Sequence, residues 1–177
     1  MLKIIKSLIA LLIIIIVLFI VIGIFLPKDY TVSRSVVIDA SPQKIHPYLN
    51  NLNNWPKWSP WAENDPTLKV TVGDISSGIG ASQSWIGKDG DGSLVITESS
   101  IQEGIDYDLE FNKGQFRCKG IFEYIPEGQG TDVIWEMRGK VDTPVIGGYF
   151  AAKMDTWVGK EFENGLKNLK KVVEENK

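Results

Sequence analysis

The strongest hydrophobic pattern is an unbroken apolar run near the N-terminus. From Leu8 to Leu26 no charged side chain occurs, and most residues are Ile, Leu, Val or Phe. As a helix rising 1.5 Å per residue, the run is about 28 Å long, close to the roughly 30 Å hydrocarbon core of a bilayer. It predicts one transmembrane helix that contacts membrane lipid along residues 8–26.

A cleavable signal peptide is the competing interpretation of this run. Such a peptide has an apolar region of about 7–15 residues and ends in a small-x-small cleavage site. The run here is longer and ends in bulky residues before Pro27, which favours retention as an anchor. Lys3 and Lys6 precede it, so the positive-inside bias predicts a cytoplasmic N-terminus and an extracytoplasmic domain. Lys28 and Arg34 on the far side weaken that bias.

Beyond Pro27 the pattern changes to the alternation that is typical of β-strands. An extended segment at Tyr30–Ile38 is followed by a short helix at Gln43–Leu49, which Pro47 limits, and by a rigid tryptophan-rich segment at Leu52–Trp61. The remaining strands are expected at Leu68–Val72, Ser82–Ile86, Leu94–Glu98, Ile105–Phe111, Phe116–Tyr124 and Val133–Met137. Their short connections predict antiparallel neighbours.

The last part of the chain has a helical period. After Pro144 and the Gly147-Gly148 pair, apolar residues recur at intervals of three, four or five: Phe150, Met154, Trp157, Phe162, Leu166, Leu169 and Val173. This spacing predicts a long amphipathic C-terminal helix on the apolar face of the sheet. The expected fold class is α+β, with an anchor at residues 1–27 and one domain at residues 28–177.

Composition narrows the possible functions. The 177 residues suit one domain of ordinary size plus an accessory segment, and the formal net charge of −3 leaves no basic excess for a nucleic-acid partner. Cys118 and His46 are the only residues of their types, which excludes an internal disulfide and the Cys/His zinc arrangements. His46 lacks an activating Ser or Cys motif nearby, so a surface or helix-end position is expected rather than a catalytic one.

Two glycine-containing motifs suggest cofactor or metal sites, but simpler interpretations are favoured. Gly78-x-Gly80 lacks the third glycine of a dinucleotide fingerprint and precedes a strand, so a tight turn is expected. The Asp89–Gly92 run lacks the later bidentate Glu of a calcium loop and is typical of a hairpin turn. No cofactor, metal or catalytic residue is therefore expected.

Large aromatic side chains and one methionine are the main candidates for a binding site. The residues concerned are Trp85, Tyr107, Phe122, Trp135, Phe150, Met154 and Trp157. Such side chains either fill a core between sheet and helix or line a pocket, and the sequence leaves both possibilities open. Arg34 and Glu98 are in phase with apolar neighbours, so either could point inward as a polar cavity group, or reach water from a strand end.

Several short sequence segments, in their order along the chain, resemble the START-like (SRPBCC) superfamily, specifically its polyketide cyclase/dehydrase and lipid-transport branch. They are Tyr30–Ile38 with Ala40-Ser41-Pro42, Asn54-Trp55, Trp58-Ser59-Pro60-Trp61, Gly78–Ala81 before Trp85, Gly130–Val133 before Trp135, and Phe162–Leu169. The resemblance covers about residues 30–175. It implies a helix-grip fold, in which a curved seven-stranded antiparallel sheet surrounds the C-terminal helix, and a cavity between them for a hydrophobic ligand.

The same resemblance implies where a ligand enters and what the domain does. The entrance is expected at Val145–Trp157, facing Trp58, Trp61 and Trp85. The leading hypothesis is a membrane-anchored module that binds a hydrophobic small molecule or lipid. The alternatives are a cyclase or dehydratase that uses Arg34, Glu98 or Tyr107, and an interaction module with a filled core and no ligand.

Overall fold

The helices and strands follow the order that the hydrophobic pattern predicts. A computed structural model describes residues 2–61, 65–88 and 90–175. Its elements are α1 Leu2–Phe25, β1 Asp29–Ile38, α2 Pro42–Asn50, a 3-10 helix Leu52–Lys57, β2 Lys69–Val72, β3 Ser82–Gly87, β4 Gly90–Ser100, β5 Gly104–Phe111, β6 Phe116–Glu127, β7 Gly130–Lys140 and α3 Gly147–Glu175.

These seven strands form one antiparallel sheet. Its order is β1-β7-β6-β5-β4-β3-β2, so β2 to β7 are successive neighbours and β1 closes the edge beside β7. Helix α3 packs along β1 and β7 on the concave face, where the alternating apolar residues of the strands are buried. This is the α+β helix-grip architecture, and the predicted fold class is confirmed.

Helix α1 is the apolar run seen in the sequence. The segment Lys3–Phe25 is long and apolar enough to cross a membrane, and an anchor or a signal sequence would both have this character. Nearly all its side chains are exposed. Its last turns contact α3, where the rings of Phe19 and Tyr149 stack with their centroids 4.5 Å apart.

Local details differ from expectation in two places. Helix α2 extends one residue beyond the prediction at each end, with Pro47 inside it, because burial of Ile45 and Leu49 against the core outweighs the one backbone bond that proline removes. Strand β4 starts at Gly90, earlier than expected, and Asp89 of the predicted hairpin turn lies outside the described residues. The expected tight turn at Gly78 is present, with φ of 79° and the amide of Ala81 donating to its carbonyl.

Candidate functional site

Four of the candidate rings form the closed part of the concave face. Trp58, Tyr107, Phe122 and Trp135 are almost fully buried. Trp135 stacks on Phe162 of α3 with centroids 3.9 Å apart and on Phe122 at 4.8 Å, and Trp58 meets both Phe122 and Trp135 edge-on. These rings fill the space between the sheet and α3, so we call this region the deep end.

Two of the buried rings in the deep end also share a hydrogen bond. Trp135 Nε1 donates to the Tyr107 hydroxyl at 2.8 Å. Burial raises the pKa of Tyr107 well above its ordinary value, since the surrounding rings cannot solvate a phenolate. Tyr107 is therefore a neutral, engaged group in the core.

The other half of the concave face is more open. Strand register aligns Tyr30, Cys118 and Leu109 in one row across β1, β6 and β5, and all three are only half-buried. Trp85 on β3 is also half-buried and packs edge-on against Phe111. We call Tyr30, Trp85, Leu109 and Cys118 the floor of the open end.

Glycines let the large rings lie flat on this face. A Cβ at Gly139 would collide with Tyr30, one at Gly92 with Trp85, and one at Gly120 with Tyr107. Each glycine lies on the strand beside the one that carries the ring. The rings thereby cover neighbouring strands, and the surface they present is apolar.

One flank of α3 carries large apolar side chains that the core leaves partly uncovered. At 3.6 residues per turn, Phe150, Met154 and Trp157 share a flank, and Met154 packs against the core. Phe150 is 46% exposed and Trp157 52% exposed, with their rings 5.8 Å apart in an edge-to-face contact. We call Phe150, Met154 and Trp157 the wall. Trp61 is partly exposed as well, and it does not belong to the buried core cluster.

Arg34 points toward α3, as its phase with Val32 and Val36 suggests. Its guanidinium binds Asp155 through Nη1 at 2.8 Å and Glu163 through Nε at 2.7 Å, both on a different flank of α3 from the wall. These bonds raise the pKa of Arg34, and the Arg34 bond lowers the pKa of Asp155. Gly159 makes room for the guanidinium, since a Cβ there would collide with it. Arg34 therefore ties strand to helix.

Glu98 does not point inward, so of the two positions that the sequence left open the structure shows the solvent-exposed one. A register shift between Ile96 and Glu98 marks a β-bulge, after which Glu98 pairs with Asp106 and Ser99 with Ile105. The extra residue reverses the alternation, so Glu98 is exposed on the outer face. There it borders a cleft of about 460 Å³ with three further carboxylates, those of Glu103, Asp106 and Glu123.

His46 is buried, in contrast to the expected surface or helix-end position. Its Nδ1 lies 3.2 Å from the Tyr124 hydroxyl and its Nε2 3.2 Å from the Ser99 hydroxyl. Ser99 donates to Asn50 Oδ1 at 2.6 Å, so Nε2 must be the donor to Ser99, and Tyr124 donates to Nδ1. Both nitrogens of the neutral ring are thus occupied. Burial lowers the pKa of His46.

The sequence of the chain also matches that of a known protein family. The sequence profile of the family described as "Polyketide cyclase / dehydrase and lipid transport" matches residues 29–174. The chain belongs to this family. A comparison with curated protein sequences finds no match.

Solved structures agree with this polyketide cyclase/dehydrase and lipid-transport family in fold. Protein MLL2253 from Mesorhizobium loti is 14% identical with a TM-score of 0.62, covering 83% of this chain and 98% of its own. CV1439 from Chromobacterium violaceum is 17% identical with a TM-score of 0.57, covering 81% and 96%. TTHA0849 from Thermus thermophilus is 18% identical with a TM-score of 0.57, covering 82% and 98%. At these identities the likeness concerns the fold alone.

In this member of the family, the predicted site residues do not form one cluster but lie in separate parts of the structure. The deep end holds four of the candidates, the floor one and the wall three, while Trp61 lies apart. Sequence reasoning missed Tyr30, Leu109 and Cys118 as floor residues. The alternation of apolar and polar residues around these three positions was visible in the sequence. The sequence does not show which end of the sheet α3 leaves uncovered, because that depends on where the helix packs on the strands.

The buried His46 predicts a pH dependence of stability. An unfolded histidine takes up a proton near pH 6.5, whereas the folded ring resists protonation because its pKa is lowered, so the free energy of unfolding should fall as the pH decreases below about 6.5. One proton contributes at most about 1.4 kcal/mol per pH unit. Denaturation midpoints between pH 7.5 and 5.5 should show this decrease in the native chain and not in His46→Gln. Equal slopes in both proteins would contradict the assignment.

Proposed function

We propose that the protein is a membrane-anchored module that binds a hydrophobic small molecule or lipid at the open end of its concave face. The family and the fold support a binding module or a cyclase-like role. One observation supports a ligand at the open end in particular. The deep end is closed by packed rings, whereas the apolar side chains of the floor and wall are only partly covered.

The chemistry of floor and wall suits an apolar ligand. Exposed apolar surface costs about 25 cal/mol per Å², so a ligand that covers Phe150 and Trp157 gains free energy by excluding water from both rings. On the floor, the Cys118 thiol is held neutral, because burial raises its pKa to about 11. The floor therefore offers a ligand shape and apolar contact without a fixed charge.

Engagement of the polar candidates favours a binding module over a catalyst. A general acid or base must be free to reach a substrate. Arg34 is bound by two carboxylates, Glu98 lies on the outer face, and Tyr107 accepts a hydrogen bond in the core. The proposal therefore assigns no catalytic residue. The cytoplasmic N-terminus expected from Lys3 and Lys6 stays a prediction.

Photo-crosslinking tests the proposed site in the full chain. The protein is reconstituted in vesicles that contain a phospholipid with a diazirine in its acyl chain, irradiated, and its adducts are mapped by mass spectrometry. We expect adducts on the floor residues Leu109 and Cys118, in addition to those on α1. Trp157→Ser should lower floor labelling about fivefold, since about 1 kcal/mol of lost apolar contact has that effect.

Ile86→Ser is the matched control for the wall variant. Ile86 is 69% exposed on β3 and belongs to neither floor nor wall, so its replacement should leave floor labelling unchanged. Adducts on α1 report that the lipid was present at equal density in every sample. Labelling confined to α1 and the start of α3, with an unmodified floor, would overturn the proposed site.

A further inference from the structure

We infer that the first turn of α3 is immersed in the lipid leaflet beside α1, so that the open end faces lipid rather than water. This rests on the proposed membrane anchor. The partner of the exposed apolar residues Ile146 and Phe150 is then the leaflet that holds the C-terminal end of α1. The domain is docked into that leaflet, and α1 is more than a tether.

The depth follows from the contact between α1 and α3. The hydroxyl of Tyr149 donates to the backbone carbonyl of Phe19 at 2.8 Å, and the two rings stack within 2° of parallel. Phe19 precedes Leu26, the end of the apolar run, by seven residues, or about 10 Å along a helix. If α1 spans the bilayer, Tyr149 therefore lies below the membrane surface.

Two glycines make this contact close. A Cβ at Gly23 would collide with the carbonyl of Val145, and one at Gly148 would collide with Leu26. Small residues that let backbones approach are the usual means by which helices pack within membranes. Gly23 of α1 thus lies against the segment that leads into α3, and Gly148 of α3 lies against Leu26 directly after α1.

The composition around the contact suits lipid. The stretch from Thr143 to Ala152 has no charged residue, and it lies between Asp142 and Lys153. Within it, Ile146 is 40% exposed and Phe150 46% exposed. In water these side chains would form an uncompensated apolar patch, whereas in a leaflet they contact acyl chains.

The position of the wall then specifies the class of ligand. Trp157 lies seven residues beyond Phe150, about 10 Å further along α3, where an aromatic ring suits the membrane–water interface. A molecule moving from the leaflet past Phe150 to the floor would stay in apolar contact throughout. The ligand class this favours is a membrane lipid with an acyl or similar chain, taken laterally from the leaflet.

Environment-sensitive labels at three positions test the inference. In full-length protein carrying Cys118→Ala, single cysteines are introduced by Leu12→Cys, Phe150→Cys or Lys171→Cys and labelled with NBD. Each protein is reconstituted into vesicles, and quenching is measured with nitroxide-labelled acyl chains and with aqueous iodide. Ile146→Cys, directly before α3, serves as a second reporter of this region if Phe150→Cys fails to fold.

The expected pattern separates docking from anchoring. Labels at positions 12 and 150 should be quenched by nitroxide lipid and several-fold less by iodide than the label at position 171, near the far end of α3. Lipid quenching at 12 with iodide quenching at 150 and 146 equal to that at 171 would overturn the docking while leaving the anchor intact. Iodide quenching at 12 would overturn the anchor itself, and the docking with it.

Discussion

Replacing Trp135 by alanine is expected to lower the free energy of unfolding by about 3–5 kcal/mol, a large share of the roughly 5–15 kcal/mol that stabilises a domain. The ring is 2% exposed and stacks between Phe122 and Phe162, so its removal leaves a cavity that neighbouring rings cannot close. It also removes the donor to the buried Tyr107 hydroxyl, which adds the cost of an unpaired polar group. Chemical denaturation of the full chain in detergent, followed by near-UV circular dichroism, measures the loss.

Trp157→Ala is the matched control for this prediction. The same chemical change at a ring that is 52% exposed should cost no more than about 1 kcal/mol, because few dispersion contacts disappear. A small loss at Trp135, similar to that at Trp157, would show that the deep end is not packed as described. It would also return Trp135 to the group of possible ligand contacts.

Gly120→Ala is the second change expected to have a large effect. The Tyr107 ring lies flat over this glycine, and an added methyl group would collide with it. The ring cannot move aside easily, since Trp55 packs edge-on against it at 5.6 Å, Phe122 stacks on it at 6.1 Å, and Trp135 donates to its hydroxyl. Overpacking of such a core costs about 1–3 kcal/mol. The denaturation midpoint measures the loss.

A double variant and a second glycine provide controls for the collision. Gly120→Ala combined with Tyr107→Leu should be less destabilised than the sum of the two single variants, because removing the ring removes the collision. Gly128→Ala adds a methyl group where no atom lies within 4 Å, at a φ of 58°, and should cost only the left-handed backbone penalty of about 1–2 kcal/mol. Additive losses in the double variant would contradict the proposed contact.

The alternation of apolar residues was enough to predict most of the architecture. Period-two runs located the strands, the spacing from Phe150 to Val173 located α3, and the apolar run from Leu8 located α1. These patterns are readable because each depends on which face of one element is buried, and that face repeats at a short, regular interval. The order of the elements, together with the short segments that resemble the family, then predicted the fold.

Individual side chains were harder to place, as Glu98 illustrates. Its phase was extrapolated from Leu94 and Ile96, but one bulged residue reversed the remainder of β4. A bulge depends on how a strand pairs with its neighbour, which a single strand's pattern does not contain. For Arg34 the sequence left an inward and a strand-end position open, and its two carboxylate partners lie more than 120 residues away along the chain.

The sequence by itself therefore determined the elements, their order and the apolar faces that drive them together. Only the tertiary structure decided that Trp135 is packed core while Trp157 is exposed, that His46 is buried between Tyr124 and Ser99, and that Tyr149 reaches Phe19. The physical reason is the range of the interactions. Burial periodicity is local, but the amount of a face that is covered depends on where a distant helix comes to rest on the sheet.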